Sequence, residues 1–255
     1  MIRKKFCIPM KEGWPVNLQF SKEKSEPFVG REKELSLLDG FFNTILENQG
    51  NFILIQGETG IGKTRLVEQF LERIKSKGIT VIRGHGYHGE ISPYRLFSEM
   101  LRHYFSSINY DTRCLAPLLD NLTIALLEKI IPELKPYIPF DVTSIHTPPL
   151  SPQEEKQRFY DTLLLFFTKL SQRYPLVLDI EDVHWLEPDT LELLRYLITN
   201  FRKSPILVIA TSRLIETGSF VEKWLSGLED QRIVQRIKLS GLDSAEVRNL
   251  VEAFF

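Results

Sequence analysis

Apolar residues change their period several times along this chain, and each change marks an element. After Arg31, the residues Leu35, Leu38, Phe41, Phe42, Ile45 and Leu46 recur at helical spacing and predict a helix with one apolar stripe, stopped by Asn48, Gly50 and Asn51. Residues 52–56 are a continuous run rich in branched side chains, the pattern of a parallel strand buried on both faces. The chain turns over 57–62. Leu66, Val67, Phe70, Leu71 and Ile74 then mark one face of a helix beginning near Lys63 and ending at Lys75, Lys77 and Gly78. A second strand over 79–83 completes a strand, helix, strand unit long enough for a right-handed crossover.

From His85 to Pro175 no comparable strand occurs. Helical patterns run over 94–105, 115–131 and 159–170, and the proline-rich stretch 132–152 predicts an ordered surface loop between the last two. A third strand over 176–180 ends among acidic residues, and Pro188 and Asp189 open a helix over 190–201. A fourth strand over 206–210 leads into Thr211, Ser212 and Arg213. A helix over 219–228, a fifth strand over 233–239 and a last helix from Asp243, capped by Ser240 or Asp243, complete the reading. The alternation predicts an α/β fold, a three-layer sandwich whose mostly parallel five-stranded sheet carries a helical insertion between its second and third strands. In domain terms, residues 1–26 form an N-terminal arm, 27–239 a core with the insertion at 93–174, and 240–255 the start of a C-terminal lid or winged-helix domain. Ending on Phe254 and Phe255, a pair suited to a helix in mid-course, the sequence reads as one domain of a longer protein.

Composition narrows the function classes. With 255 residues, 43% hydrophobic, 25% charged and a formal net charge of -1, the chain falls outside the disordered and fibrous classes. No overall charge excess directs it to nucleic acid or an anionic membrane, although a local basic patch remains open. The basic start has no apolar stretch long enough for a signal peptide, and no run of eighteen apolar residues would span a bilayer. A cytoplasmic location with no membrane contact is expected. Cys7 and Cys114 lie far apart without metal-ligand spacing, which fits free thiols in a reducing compartment, Cys114 within a helical core.

The sharpest chemical signal is the segment Gly57, Glu58, Thr59, Gly60, Ile61, Gly62, Lys63, Thr64, a complete GxxxxGK[ST] pattern set between a strand and a helix. Glycines there let the backbone curl and aim N–H groups at an anion, at the positive end of the following helix. Lys63 is suited to the terminal phosphates of ATP or ADP, and the Thr64 hydroxyl to Mg²⁺. The Glu58 and Thr59 side chains receive no chemistry beyond shaping the loop, and Arg65 follows it in the first helical turn. A bare glycine-rich turn is the alternative reading.

A triphosphate hydrolase also needs acidic groups beside this loop. Strand alternation puts Asp179 and Glu181 on one side and Asp182 on the other. Glu181 is assigned to Mg²⁺ and Asp182 to orienting the attacking water; the reverse order stays open, as does a reading in which Asp182 caps a turn. His184 either orders this loop through a ring hydrogen bond or is an ordinary satisfied histidine. Trp185 reads as a packing anchor. His85 and His88, three apart, lack zinc partners. Because ligands of open parallel sheets sit beyond the carboxyl ends of the strands, Thr211, Ser212 and Arg213 fall near a γ-phosphate, where Arg213 would distinguish ATP from ADP. An ordinary surface arginine is the alternative.

Together Val29, Gly30, Arg31 and Glu32 before a helix, the 57–64 loop, the acidic segment 181–185 and the run 210–213 resemble the STAND-class AAA+ P-loop ATPases, and are similar to the ATPase module of MalT-like and adenylyl-cyclase-linked regulators. The resemblance covers nearly everything from Pro27 onward. It implies that Val29 and Arg31 lie near adenine and phosphates, Lys63 and Thr64 on the phosphates and Mg²⁺, Glu181 and Asp182 at the reacting centre, and Arg213 at the sensor position. It further implies a regulatory or signalling switch with weak Mg²⁺-dependent ATP hydrolysis, and protein partners or self-association through the ATPase module. DNA would be reached only through further domains. Leu186 and Glu187 stand where many relatives have Ala and Asp, and only one helix follows the core. A nucleic-acid-engaged ATPase of the origin-recognition or helicase-loader kind and a non-hydrolysing ATP-bound scaffold are the alternatives; a small-molecule kinase lacks a recognisable acceptor site.

Overall fold

The computed structural model describes residues 28–89, 93–108, 119–138, 140 and 150–254. The proposed N-terminal arm, Cys7 and Cys114 lie outside the described residues. Helix α1 (Glu32–Ile45) leads into β1 (Asn51–Gln56), followed by α2 (Lys63–Ile74) and β2 (Thr80–His85). Helices α3 (Arg95–Ser107), α4 (Asn121–Ile130) and α5 (Pro152–Arg173) intervene before β3 (Leu176–Glu181). The chain continues through α6 (Pro188–Asn200), β4 (Ile206–Ser212), α7 (Phe220–Glu229), β5 (Val234–Lys238) and α8 (Ser244–Phe254).

The five strands order as β2-β3-β4-β1-β5, and every neighbouring pair is parallel. A wholly parallel sheet must be covered on both faces, and the alternation of side chains along each strand divides the core accordingly. On one face, Ile53 and Ile55 of β1, Val177 of β3 and Leu207 and Ile209 of β4 pack with Leu35, Leu38 and Phe42 of α1 and with the apolar stripe of α2. On the other face, Leu178, Ile180, Val208 and Ala210 meet α3, α5, α6 and α7. Leu66, Val67, Phe70, Leu71 and Ile74 are all buried, as their spacing predicts, each worth about 1.5–3 kcal/mol of transfer free energy. Leu46 falls outside its helix stripe and is half exposed, beyond the last turn of α1.

Several boundaries differ from the sequence expectation. The stretch 132–152 is not a surface loop throughout: Pro132–Tyr137 forms a 3-10 helix that buries Leu134, which is possible because proline is tolerated in the first turn, where no N–H is required. Helix α5 begins well before residue 159. Ser151 and Glu154 form a reciprocal capping box and Pro152 occupies the first turn, so the polar start of this 22-residue helix carries no apolar stripe to betray it. Strands β2 and β4 each run two residues further than predicted, to His85 and Ser212, since their ends are paired with neighbouring strands. Asp243, not Ser240, caps α8 by accepting from the backbone N–H groups of Ala245 and Glu246, each at 2.8 Å.

Candidate nucleotide-binding site

The turn from β1 into α2 is built by glycine. Gly60 and Gly62 hold φ of 80° and 97°, in the left-handed region where a Cβ would be strained. Helix α2 begins at Lys63 without a side-chain cap, so the N–H groups of its first turn remain available to an anion. The Lys63 ammonium group turns back into the loop, donating to the carbonyl oxygens of Gly57 at 3.0 Å and Glu58 at 2.9 Å. Burial holds its pKa below the usual lysine range, opposed by attraction to Asp182 and reinforced by repulsion from Arg213. Thr64 is exposed in the first turn of the helix, as are Glu58, Thr59 and Gly60 in the loop. Ile61 packs against the α1 and α2 side of the core. Arg65 lies beside Glu68, 3.7 Å away on the next turn of α2.

Sheet topology places the acidic groups opposite this loop. With β4 between β1 and β3, the carboxyl ends of all three strands open on one edge, and Glu181 and Asp182 emerge there partly exposed. Asp182 adopts φ 53°, ψ 48°, a left-handed turn that aspartate tolerates, and its backbone N–H donates to the Thr211 hydroxyl at 3.1 Å. His184 Nδ1 lies 3.8 Å from Asp182 Oδ1 and 3.5 Å from the Arg213 backbone N–H. Burial lowers the His184 pKa, offset by Asp182, so the neutral ring is favoured as an acceptor for that N–H. The Arg213 guanidinium rests over the Trp185 ring, 5.7 Å from its centroid, and Trp185 also meets His88 edge-on at 4.3 Å. Trp185 is therefore more than a packing anchor, since it supports a cation at the strand ends.

Asp179 departs from its two neighbours. Only 1% exposed, it pairs with Arg83 of β2 at 2.9 Å, and burial pushes its pKa up to about 7. It lies on the same sheet face as Glu181 but inside the core, too deep to reach a nucleotide. His85, weighed in the sequence only as a zinc ligand, also stands beside the Glu181 and Asp182 carboxylates. Register pairs it with Glu181 across β2 and β3, and its two ring nitrogens lie 3.5 Å from Glu181 Oε2 and 3.9 Å from Asp182 Oδ2. Only the length of β2, which periodicity understated, would have shown this.

Arg31 is 8% exposed in a left-handed turn before α1, with φ 68°. Its guanidinium donates to the Ser240 carbonyl oxygen at 2.5 Å and lies 3.5 Å from the Ile61 carbonyl oxygen, which brings it to the back of the phosphate loop. Val29 is half-buried nearby in sequence. The arrangement thus provides an anion nest, a buried cation and a pair of carboxylates with a threonine hydroxyl, the donor set suited to a triphosphate and a hard divalent cation. Among the described residues, no group of three or more histidine, cysteine or carboxylate side chains could hold a metal ion.

A model of the AAA ATPase domain family matches residues 27–209. The chain belongs to that family. The chain is 25% identical over 232 residues to an uncharacterised protein of Rhizobium meliloti, covering 89% of this chain and 22% of that protein. An uncharacterised ATP-binding protein of Methanocaldococcus jannaschii is 39% identical over 54 residues, 21% of this chain and 86% of its own length. The fold is similar to that of Cdc6p from Pyrobaculum aerophilum, with a TM-score of 0.50 and 20% identity over 93% of this chain and 52% of that one. The chain therefore spans about a fifth of the Rhizobium relative and half of the Pyrobaculum protein. Family membership implies nucleotide and, typically, Mg²⁺ use. No helix among the described residues is long and apolar enough to cross a membrane.

Proposed function

We propose that this AAA ATPase domain is an ATP-dependent regulatory or signalling switch of the STAND type, with slow Mg²⁺-dependent hydrolysis of the γ-phosphate. The observation that carries the reading is the convergence, at one edge of the sheet, of Lys63 after β1, Glu181 and Asp182 at the end of β3, and Arg213 after β4. In this reading the loop amides and Lys63 hold the β- and γ-phosphates, and a Mg²⁺ ion bound through Thr64 and Glu181 would neutralise charge developing on them. Asp182 accepts a proton from, or orients, the attacking water, and His184 keeps the Arg213 backbone beside it. Arg213 leaves the face of Trp185 for the γ-phosphate, a group that ADP lacks. A side chain that must choose between an aromatic face and a phosphate is suited to reporting which nucleotide is bound.

The test is calorimetric titration of the 255-residue chain with Mg-ATP and Mg-ADP, with Lys63→Ala as the blank. Saturable binding that prefers ATP is expected of a γ-phosphate sensor. Equal affinities would leave the nucleotide site and remove the switch, and no binding by the native chain would remove both. Phosphate release without an added acceptor separates hydrolysis from a scaffold that only holds ATP. Salt-dependent DNA binding by the same chain would instead favour an origin-recognition type of ATPase.

A further inference from the structure

Glu246, in the first turn of α8, has two partners of different kinds. Its Oε2 accepts from the Asp243 backbone N–H at 2.8 Å, the local half of a helix cap. Its Oε1 reaches across the molecule to the Arg31 backbone N–H at 3.5 Å, and a Cβ built at Gly30 would stand only 2.6 Å from it. A capping residue needs only the first contact. The second ties α8 to the Gly30 and Arg31 turn, and Arg31 in turn bridges Ser240, on the link from β5 to α8, and Ile61, inside the phosphate loop.

These contacts form a closed circuit. Arg31 is a non-glycine residue held at positive φ, a conformation that persists only where its surroundings enforce it. Oε1 of Glu246, on α8 itself, and the carbonyl of Ser240, on the link into it, are two of those surroundings. We infer that Glu246 is a positioning residue that holds Arg31 against the phosphate loop, so that seating of α8 and nucleotide binding are reciprocally coupled. The inference rests on the nucleotide reading of that loop. Thermodynamic linkage requires that if docked α8 favours nucleotide, nucleotide favours docked α8 by the same factor.

The experiment combines calorimetry with hydrogen–deuterium exchange of the peptide covering α8 in the full chain, with and without saturating Mg-ATP. Nucleotide is expected to slow exchange across α8 about fivefold or more. Glu246→Ala should abolish that response and weaken Mg-ATP binding by a matching factor. Glu246→Gln, with one amide oxygen to serve both the Asp243 and the Arg31 N–H groups, should fall between the native chain and Glu246→Ala. Val247→Ala, on the exposed side of the same helix, should leave both readouts unchanged. A purely local cap would speed α8 exchange in Glu246→Ala equally with and without nucleotide and leave affinity unaltered, which overturns the inference. Saturable binding by the native chain with no change in α8 overturns the coupling alone. Absence of binding by the native chain overturns the nucleotide reading, and the coupling with it.

Discussion

The hydroxyl of Thr211 accepts a hydrogen bond from the backbone N–H of Asp182 at 3.1 Å, fastening the turn after β3 to the last residues of β4. Asp182 is thereby fixed in a left-handed turn whose carboxylate stays partly exposed between His85 and His184. The water-orienting role proposed for Asp182 requires a group held still, and a neighbouring strand does the holding.

It follows that Asp182→Ala should reduce ATP turnover by about 10²- to 10⁴-fold while changing Mg-ATP affinity much less. Thr211→Val, which keeps the shape but removes the acceptor, should lower turnover in the same direction by a smaller factor. Single-turnover kinetics at saturating Mg-ATP check both; unchanged turnover in Asp182→Ala would assign the water to another group.

Arg213→Ala should weaken ATP by about 10- to 150-fold and leave ADP nearly unchanged, because a charge-assisted bond to the γ-phosphate is worth about 1.5–3 kcal/mol. Since the guanidinium rests on Trp185, indole fluorescence should respond to ATP in the native chain and lose that response in the variant. Parallel loss of ATP and ADP affinity would reduce Arg213 to a general electrostatic contribution.

Gly57 has no room for a methyl group: a Cβ there would lie 2.8 Å from Ile61 Cγ2 and 3.2 Å from the Leu239 carbonyl oxygen. Gly57→Ala is therefore expected to displace the phosphate loop, costing about 1–3 kcal/mol of stability and more than tenfold in nucleotide affinity. Denaturant unfolding and calorimetry on the same preparation separate the two effects.

Asp179 imposes a pH dependence on stability. Its folded pKa, near 7, is raised above the unfolded value of 3.8, so between these values the folded state retains a proton that the unfolded state has lost. The Asp179 contribution to stability is thus largest below about pH 4, declines as pH rises, and levels off above about pH 7, with a slope of about 1 kcal/mol per pH unit. Asp179→Asn should remove this slope, so its stability relative to the native chain should rise with pH over that interval. Urea midpoints across the interval provide the check, and parallel curves would show that Asp179 stays ionised beside Arg83.

Much of this molecule was legible in its sequence. Local rules, acting within a few residues, set the strand, loop and helix around Lys63, the buried stripe of α2 and the alternation that yields a covered parallel sheet. The same pattern marked Glu181, Asp182 and Arg213 as strand-end groups, because a parallel sheet brings all its carboxyl ends to one edge. Tertiary structure decided the rest. Asp179 and Glu181 share a strand face, yet only the packing of α1 and α2 buries the first and leaves the second at the edge. His85 entered the site because β2 runs two residues further once β3 is there to pair with it. Arg31 meets Ile61 and Glu246 across 30 and 215 residues of chain, contacts that no periodicity encodes. Sequence fixes the local backbone through short-range sterics and hydrogen bonding; which polar side chain faces solvent, core or ligand depends on what the folded chain brings against it.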